Sequence, residues 1–324
     1  MQHKIFSIDD NYDFESACIA VFNHQYIYNP IYKKYVNYLG KKAENIKTVT
    51  DIPFLPIELF KTQQIYCSDQ KPEIVFSSSG TTGVSTSKHL VSDLSWYENS
   101  FRRCFNSFYG EVKDIAILAL LPNYLERSGS SLIYMVDDLI KASHQSESGF
   151  FLYNHQDLYD TLLKLKQKGT KTILIGVTYA LLDLCETYNI KFPDLVVMET
   201  GGMKGKRKEL IRAELHDILR DGFGVEQIHS EYGMTELLSQ AYSLGSGIFT
   251  TPGWMKILIR DTNDPYTYLD DRKTGAINVI DLANYESCAF IATQDLGKCY
   301  EDGRFEVLGR FDNSDIRGCN LLVN

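Results

Sequence analysis

The stretch IVFSSSGTTG, from Ile74 to Gly83, places small hydroxyl side chains and glycines directly after a short apolar run. Glycine lets the backbone approach a ligand closely, and successive N–H groups and hydroxyls can converge on phosphate oxygens. The candidate phosphate-binding residues are Ser78, Ser79, Gly80, Thr81, Thr82 and Gly83. The alternative is an ordinary Ser/Gly turn between a strand and a helix. The stretch is not a Walker A loop, because it has no Gly-Lys-Ser/Thr element and Lys88 comes five residues after Gly83.

A second polar stretch, HSEYGMTELLSQ, follows the β-prone run GVEQI. In it the Tyr232 ring can stack on a flat ring, and the Thr235 hydroxyl can donate to a phosphate. Glu236 can hold Mg²⁺ through its oxygens, and Gly233 lies between these side chains. An ordinary polar loop is the alternative interpretation of the same residues.

Two shorter stretches can complete a nucleotide site. In ETGGMKG the bare backbone of Gly201 and Gly202 can lie against a planar base, although a glycine turn before a basic helix is the alternative. In ATQDLG the Asp295 carboxylate can accept both ribose hydroxyls, although a solvated turn aspartate is the alternative. Arg310 follows in LGRFDNSD, close in sequence to several aspartates.

The elements that must position these residues follow a recurring pattern. Apolar runs such as EIVF, IAILALL, TILIGV and DLVVMET each end in a break of small residues, Pro or Gly, and helix-like segments lie between them. Strands that alternate with helices predict a mainly parallel sheet with helices on its faces. Ligands bind at the carboxyl ends of strands in such sheets, so the glycine-bearing loops are predicted to share one crevice.

The two ends of the chain have a different character. A single Tyr-rich helix is predicted from about Phe14 to Leu39, with Gly40 at its end. After about Gly245 short strands follow at close spacing, which predicts an antiparallel or barrel-like subdomain. The predicted fold class is α/β, with mainly parallel sheets flanked by helices and a small C-terminal β-rich subdomain. The predicted domains are residues 1–245 and residues 246–324, the second ending in a C-terminal tail.

Composition excludes several functional classes. The 324 residues carry a formal charge of −9, which argues against a nucleic-acid or anionic-membrane surface. No apolar run approaches the roughly 20 residues that span a bilayer, and the N-terminus lacks the apolar region of a signal peptide. Seven scattered cysteines form no CxxC and no Cys/His cluster at metal spacing. We therefore expect a cytoplasmic protein with reduced thiols, no membrane span and no structural zinc.

In their order, the motifs SSSGTTG, GG, YGMTE, QDL and GRFDNSDIRG resemble those of the adenylate-forming superfamily, from about Ile74 to the end. That superfamily includes acyl- and aryl-CoA synthetases, adenylation domains and luciferase. The stretches IPFLPIELFK and LPNYLERSGSSLIYM resemble one branch over nearly the whole chain. It is the acyl-protein synthetase component of bacterial bioluminescence fatty-acid reductase, related to phenylacetate-CoA ligase.

Two features depart from the superfamily pattern. The chain stops soon after IRG, whereas typical members continue into a C-terminal domain of roughly a hundred residues that carries a lysine aiding adenylation. The resemblance therefore implies the N-terminal-domain-like part of the adenylate-forming fold without the usual C-terminal domain. The stretch TTGVSTSKH also differs from the usual Thr-Thr-Gly-x-Pro-Lys, which leaves the role of Lys88 open.

The resemblance implies a function and roles for the candidate residues. An ATP- and Mg²⁺-dependent ligase would activate a carboxylic acid, in this branch a fatty acid, to acyl-AMP in an adenylate-binding region over residues 1–245. The acyl group would pass to a cysteine thiol, matched here by Cys319, and then to an acyl-CoA reductase-like partner protein. Ser78–Gly83 would bind phosphates, and Tyr232 with the backbone of Gly201 and Gly202 would flank adenine, with Gly233 also at the nucleotide. Thr235 would bind the α-phosphate and Glu236 the metal. Asp295 would hold the ribose, with Arg310 nearby.

Two alternative functions stay open at this point. The chain can be an acyl- or aryl-CoA ligase that uses a free thiol, or a nucleotide-binding protein that has lost catalysis. Cys319 can equally be a small buried thiol in a final strand, which is the more common place for a cysteine.

Overall fold

The structure, a computed structural model, describes residues 2–8, 11–78, 86–122, 129–152, 154–201 and 210–310. Within these residues the helices are α1 (Asn11–Tyr28), α2 (Pro30–Tyr38), α3 (Leu59–Thr62), α4 (Leu94–Tyr109), α5 (Ser131–Ser143), α6 (His155–Lys168), α7 (Thr178–Thr187) and α8 (Arg212–Phe223). None of these described helices is both long enough and apolar enough to cross a membrane.

The strands of the same residues fall into two groups along the chain. The earlier ones are β1 (Leu55–Pro56), β2 (Ile74–Ser77), β3 (Lys88–Val91), β4 (Ala116–Leu120), β5 (Gly149–Phe150), β6 (Thr172–Val177), β7 (Val196–Thr200) and β8 (Ile228–Tyr232). The later ones are β9 (Ala241–Ser243), β10 (Ile248–Thr250), β11 (Met255–Arg260), β12 (Gly275–Asp281), β13 (Phe290–Cys299) and β14 (Phe305–Arg310).

The chain forms two compact units. The first consists of Met1–Tyr97, Glu236–Ser239 and Thr250–Asn324, and the second of Glu98–Thr235 and Gln240–Phe249. These units do not follow the predicted boundary after residue 245, because the first 97 residues make their contacts with the C-terminal strands. The division into an adenylate-binding region and a β-rich subdomain with a tail therefore stays a prediction.

The second unit contains the parallel sheet that the sequence predicts. Its strands lie in the order β9-β8-β7-β6-β4-β5, parallel from β5 to β8 and antiparallel between β8 and β9. Every residue of β4 and β6 is buried, as expected for strands covered on both faces. Strands β7 and β8 are neighbours, with Thr200 opposite Glu231, so the residues that follow them start from one edge of the sheet.

The first unit contains the C-terminal strands. Strands β11, β12, β13 and β14 pair antiparallel in that order, and β1 from the N-terminal part pairs parallel with β13. Strand β12 is buried at every residue and forms the centre of this sheet. The predicted β-rich character of the C-terminal part is confirmed.

One predicted strand has a different place. The run EIVF is not part of the parallel sheet, because β2 pairs antiparallel with β3 in a separate two-stranded sheet. Only Phe76 of β2 is fully buried, whereas Val75 is 40% exposed. A short hairpin strand and a short parallel strand have the same apolar composition, so the sequence alone did not separate them. The prediction that this loop leaves the same sheet as the other two is wrong.

The predicted N-terminal helix is divided in two. Asn29 interrupts it with an extended backbone, and its side chain accepts hydrogen bonds from the N–H groups of Ile31 and Tyr32. Pro30 then occupies the first position of α2, where its missing N–H costs nothing. The predicted end is confirmed, since Gly40 adopts a φ of 66° directly after α2.

Candidate active site

The glycine-rich loop begins and ends at a hydrogen-bonded pair in the first unit. The Ser78 N–H donates to the Ser87 carbonyl over 3.1 Å, and the Ser87 N–H donates to the Ser78 hydroxyl over 2.9 Å. These bonds extend the β2–β3 hairpin by one step, so the chain leaves and returns at one point. The candidates Ser79, Gly80, Thr81, Thr82 and Gly83 lie outside the described residues.

Glu236, the predicted metal ligand, lies at the base of this hairpin. The residue is 6% exposed, and its carboxylate interacts with the Ser87 side chain. Burial raises the pKa of Glu236, while the interaction with Ser87 and the charges of Arg310 and Lys61 act in the opposite direction. A carboxylate is thus held in a largely dry position, where a bound cation would favour its ionised form.

The backbone around Glu236 is fixed by Asn284. Its side-chain amide donates to the Glu236 carbonyl over 2.8 Å and accepts from the Leu238 N–H over 3.0 Å. The side chain is completely buried, so both bonds are sheltered from water. Sequence analysis missed Asn284; the only available signal was a polar residue directly after the mostly apolar stretch INVIDLA.

Asp281 holds the same short segment from the end of β12. Its carboxylate accepts from the N–H groups of Leu238 and Ser239, over 3.0 and 2.9 Å, and from the Ser239 hydroxyl over 2.6 Å. Burial raises the pKa of Asp281 to about 6, although these hydrogen bonds favour the ionised form. Sequence analysis also missed Asp281, because Leu238 and Ser239, the residues it holds, lie more than 40 positions away in the chain.

Asp295 lies inside β13 and not in a solvated turn. It is 9% exposed and pairs with Arg310, which is its register partner on β14, with 3.3 Å between Oδ1 and Nε. Two candidates predicted from separate motifs are thus in direct contact. The sequence QDLG suggested a turn because of its Asp and Gly, but strand pairing on both sides keeps it extended.

A bulge in β13 displays Asp295. Ala276 on β12 pairs with Leu296, whereas Asn278 pairs with Ala292, so residues 293–295 lie opposite a single residue of β12. Bulges redirect side chains and are frequent beside active sites. Here the bulge begins just before the candidate ribose ligand.

Arg260 supports this bulge from within the first unit. Its buried guanidinium donates to the carbonyls of Ile277 and Thr293, over 2.8 and 2.7 Å, and to the Asn278 side-chain oxygen over 2.7 Å. The Thr293 hydroxyl in turn accepts from the Asp295 N–H over 3.1 Å. Arg260 is therefore a positioning residue that sequence analysis did not find.

In the second unit the candidates follow the ends of neighbouring strands. Gly201 comes directly after β7 with a φ of 67°, and Gly233 comes directly after β8. A Cβ at Gly233 would lie 2.4 Å from a carboxylate oxygen of Glu231, so a larger residue does not fit without a shift. Tyr232 is 8% exposed and packs edge-to-face on Phe249. Gly202 lies outside the described residues.

Thr235 and Glu236 are consecutive in the chain, yet Thr235 belongs to the second unit and Glu236 to the first. Thr235 is half-buried. Its predicted role at an α-phosphate stays a prediction.

Two carboxylates, the buried Glu199 and the half-buried Glu231, also lie near these strand ends in the second unit. Burial alone would raise the pKa of Glu199, but the nearby His216 ring, with Nε2 3.6 Å from Oε1, and the charge of Arg212 lower it. Burial raises the pKa of Glu231 to about 7, despite a 2.6 Å hydrogen bond from the Thr200 hydroxyl. Neighbouring strands therefore carry one ionised carboxylate and one that holds a proton near neutral pH.

The cysteines differ in how much the structure says about them. Six are free thiols, namely Cys18, Cys67, Cys104, Cys185, Cys288 and Cys299, whereas Cys319 lies outside the described residues. Burial raises the pKa of Cys18, Cys288 and Cys299 to about 12. Those three are therefore poor nucleophiles, since the thiolate is the reactive form.

Solved structures of ligases share this fold. A 2-hydroxyisobutyryl-CoA ligase in complex with 2-HIB-AMP and CoA superimposes with a TM-score of 0.68 at 12% identity, covering 96% of this chain and 71% of the ligase. ATP-bound MatB from Rhodopseudomonas palustris superimposes with a TM-score of 0.56 at 18% identity, covering 74% of this chain. The chain spans about half the length of MatB, 49% of it. The fold is thus that of the adenylate-forming enzymes.

The family is more specific than the fold. The family model of acyl-protein synthetase, LuxE, matches residues 6–324, so the chain belongs to the acyl-protein synthetase family. The resemblance, the fold class and the ligase class predicted from sequence are confirmed. A comparison with curated proteins finds no match.

Proposed function

We propose that the protein uses ATP to activate a fatty acid as acyl-AMP and transfers the acyl group to Cys319. From there the acyl group passes to an acyl-CoA reductase-like partner protein. The observation that carries this proposal is the buried Glu236 carboxylate, which interacts with the Ser87 side chain at the base of the glycine-rich loop. It joins two motifs that are predicted to act together on ATP and that lie far apart in the sequence.

The first step makes a better acyl donor. A carboxylate oxygen attacks the α-phosphorus of ATP, the bond to the β-phosphate bridging oxygen breaks, and pyrophosphate leaves. The acyl-AMP then has a phosphate monoester as its leaving group, in place of oxide. This chemistry depends on positioning and charge neutralisation, which backbone donors and fixed side chains provide.

Glu236 is the residue that would hold Mg²⁺. A metal ion supplies charge neutralisation at the phosphate oxygens when it is bound. Glu236 fits this role because its carboxylate is buried and makes no ion pair within 4 Å across the described residues. Asn284 and Asp281 keep the segment of Glu236 in place.

Asp295 is the proposed ribose ligand, and Arg310 is its partner. The bulge in β13 orients Asp295, and its carboxylate forms an ion pair with Arg310. In the second unit, the backbone at Gly201 and the Tyr232–Gly233 turn are the proposed adenine-binding surface. The narrow fit at Gly233 supports a role for its bare backbone.

The second step places the acyl group on a thiol. The Cys319 thiolate attacks the carbonyl carbon of acyl-AMP, the bond to the phosphate oxygen breaks, and AMP leaves. The high pKa values of Cys18, Cys288 and Cys299 support Cys319 over those three as the acceptor. The ATP in MatB and the 2-HIB-AMP in the hydroxyisobutyryl-CoA ligase support an adenylate as the intermediate.

An acyl-CoA ligase is the second candidate function. The observation that favours it is the similarity to the 2-hydroxyisobutyryl-CoA ligase, whose structure contains CoA. In that case the acyl group ends on CoA and Cys319 is dispensable. A nucleotide-binding protein without catalysis would form neither the protein thioester nor acyl-CoA, and it would show no pyrophosphate exchange.

The first experiment measures ATP–pyrophosphate exchange over carboxylic acids of graded chain length. Glu236→Gln is expected to lower Mg²⁺-dependent exchange by roughly 10² to 10³, because it removes a metal contact made during phosphoryl chemistry. The matched control is Glu226→Gln at an exposed position, which should keep the wild-type rate. Wild-type exchange in Glu236→Gln would contradict the metal assignment, and absence of exchange with every acid would favour the non-catalytic alternative.

The second experiment follows the acyl group. Cys319→Ser is expected to exchange pyrophosphate normally but to hold no hydroxylamine-sensitive thioester by mass spectrometry, and to pass no acyl group to a reductase. Cys299→Ser is the matched control and should retain the thioester. A thioester that persists in Cys319→Ser would show that the acceptor is misassigned, and acyl-CoA as the product would favour the CoA ligase.

A further inference from the structure

Three side chains with metal-binding atoms meet in the first unit, and none of them is among the candidate nucleotide-binding residues. They are His24 of α1, Cys67 before β2 and Glu286 between β12 and β13, and their ligand atoms all lie within 4.8 Å of one another. The His24 Nε2 and Glu286 Oε1 atoms are 3.5 Å apart. An imidazole, a thiol and a carboxylate are the ligand types that Zn²⁺ takes in proteins.

The His24 ring is held in one orientation. It stacks on Tyr285 with 4.1 Å between the ring centres and 20° between the planes, and Tyr28 lies 4.9 Å away on the same helix. Its Nε2 atom is buried and makes no hydrogen bond, although it faces Glu286. A buried ring nitrogen without a partner costs free energy unless something binds it.

The backbone that carries Glu286 is also fixed, on both sides. Gln25 donates to the Tyr285 carbonyl over 3.1 Å, and Asn29 donates to the Ser287 carbonyl over 2.8 Å. The Cys67 N–H donates to the Glu286 carbonyl itself over 2.9 Å. The ligand-bearing segments are therefore positioned before any ion arrives, which lowers the entropy cost of binding.

We propose that His24, Cys67 and Glu286 bind a divalent transition-metal ion of the Zn²⁺ class, distinct from the Mg²⁺ proposed at Glu236. Ligand atoms around a tetrahedral Zn²⁺ are separated by roughly 3.3 to 3.6 Å, so the cluster must contract by on the order of 1 Å. Thiolate and imidazole together select such an ion over Mg²⁺ or Ca²⁺. Binding releases the Cys67 thiol proton to solvent, and the neutral imidazole donates its lone pair.

A water molecule can supply the fourth ligand, since the His24 and Glu286 side chains keep 20% and 27% of their surface exposed. The ion would tie α1 to the segment before β2 and to the loop that precedes β13. That loop includes Asn284, which holds the Glu236 carbonyl, so the ion would also stiffen the support of Glu236. The site is invisible in the sequence because its three residues are spread over more than 260 positions.

The test uses the full-length protein, stripped of metal with a chelator and titrated with Co²⁺. We expect one equivalent to produce the thiolate-to-cobalt charge-transfer absorption, and added Zn²⁺ to abolish it. Cys67→Ser should lose this absorption, and Glu286→Gln should weaken Co²⁺ binding by at least about tenfold. Cys299→Ser, another half-buried thiol of the same unit, should behave as the wild type.

A second measurement needs no variant. Zn²⁺ is expected to slow alkylation of Cys67 in the wild-type protein, as located by peptide mass spectrometry, and to leave Cys299 unaffected. No charge-transfer absorption in the wild type, absorption that persists in folded Cys67→Ser, or an alkylation rate at Cys67 that ignores Zn²⁺ would each overturn the proposal.

Discussion

His229 is a residue whose charge state the fold determines. It lies on β8, where its Nδ1 is 3.2 Å from the Tyr109 hydroxyl, within the second unit. Burial lowers the pKa of His229 to about 4 from an ordinary value of 6.5. The folded state therefore binds a proton at this site less readily than the unfolded chain does.

This difference predicts how stability depends on pH. The stabilisation from keeping His229 neutral is fully present above pH 6.5 and is lost as the pH falls through 4. Because the side chain is partly exposed, we expect a loss of about 1 to 2 kcal/mol in the free energy of unfolding between neutral pH and the acid end of that window. Urea unfolding of the wild type and of His229→Gln at several pH values measures it.

In that comparison His229→Gln should lack this part of the pH dependence. The contributions of the other titrating groups are the same in both proteins and cancel in the difference between their free energies of unfolding. His144→Asn is the control, since His144 is exposed and its left-handed backbone suits Asn. Equal pH slopes in the wild type and in His229→Gln would contradict the prediction.

At the scale of residues, the sequence predicted candidate nucleotide-binding groups but not the groups that hold them in place. Asp295 and Arg310 were separate candidates and the fold brings them into contact. Asp281, Asn284 and Arg260 carry no motif, because their roles come from partners that only the folded chain brings near. Local patterns report local chemistry, and supporting contacts are mostly long-range.

At the scale of elements, the bulge of β13 makes a prediction through Arg260. Lysine keeps the positive charge but loses the forked donors that reach Ile277 and Thr293 together. We expect Arg260→Lys to raise the KM for ATP in pyrophosphate exchange by about tenfold, with a smaller effect on kcat, because the backbone at Asp295 loses its support. Steady-state exchange kinetics at varied ATP concentration measure both constants.

Arg304→Lys is the matched control for this variant. Arg304 lies half-exposed in a turn with Asp302, and its replacement should leave both constants unchanged. An unchanged KM for ATP in a folded Arg260→Lys protein would show that the bulge does not contribute to nucleotide binding.

Elements themselves were predicted unevenly, for physical reasons. The buried runs of β4, β6 and β7 stand out because parallel strands are apolar on both faces. The β2–β3 hairpin does not stand out in the sequence, since the composition of its four-residue strands fits a parallel or an antiparallel sheet equally well. The break at Asn29 carried a readable signal, an Asn cap followed by Pro, but the surrounding helical composition outweighed it.

At the scale of the whole molecule, the first unit depends on contacts between the two ends of the chain. Gln25 on α1 is completely buried, donates to the carbonyls of Asn284 and Tyr285, and accepts from the Ala289 N–H over 3.0 Å. Sequence analysis placed these ends in different domains, because composition shows no long-range pairing. Closing a loop of this length costs conformational entropy before the contacts between its ends can stabilise the fold.

Gln25→Leu tests the importance of this closure. The variant removes the Gln25 partner of the buried Ala289 N–H and one hydrogen bond each to the Asn284 and Tyr285 carbonyls. We expect it to lower the free energy of unfolding by about 3 kcal/mol. Gln64→Leu, at an exposed position, should change it by less than about 0.5 kcal/mol. Urea denaturation followed by circular dichroism measures both, and equal midpoints for the two variants would contradict the prediction.

The passage of the chain between its two units has an evolutionary consequence. The units change along the sequence at four junctions, after residues 97, 235, 239 and 249. A single genetic crossover therefore cannot exchange either unit intact. A crossover between Thr235 and Glu236, for example, would separate the Glu236–Ser239 segment from the strand that precedes it. The segment would stay with Asp281 and Asn284, which are encoded downstream and hold it. Recombination between divergent relatives would mostly produce hybrids with mismatched halves of the same core. We expect the two units to be inherited together and to diverge by point substitution, and not by shuffling as separate modules.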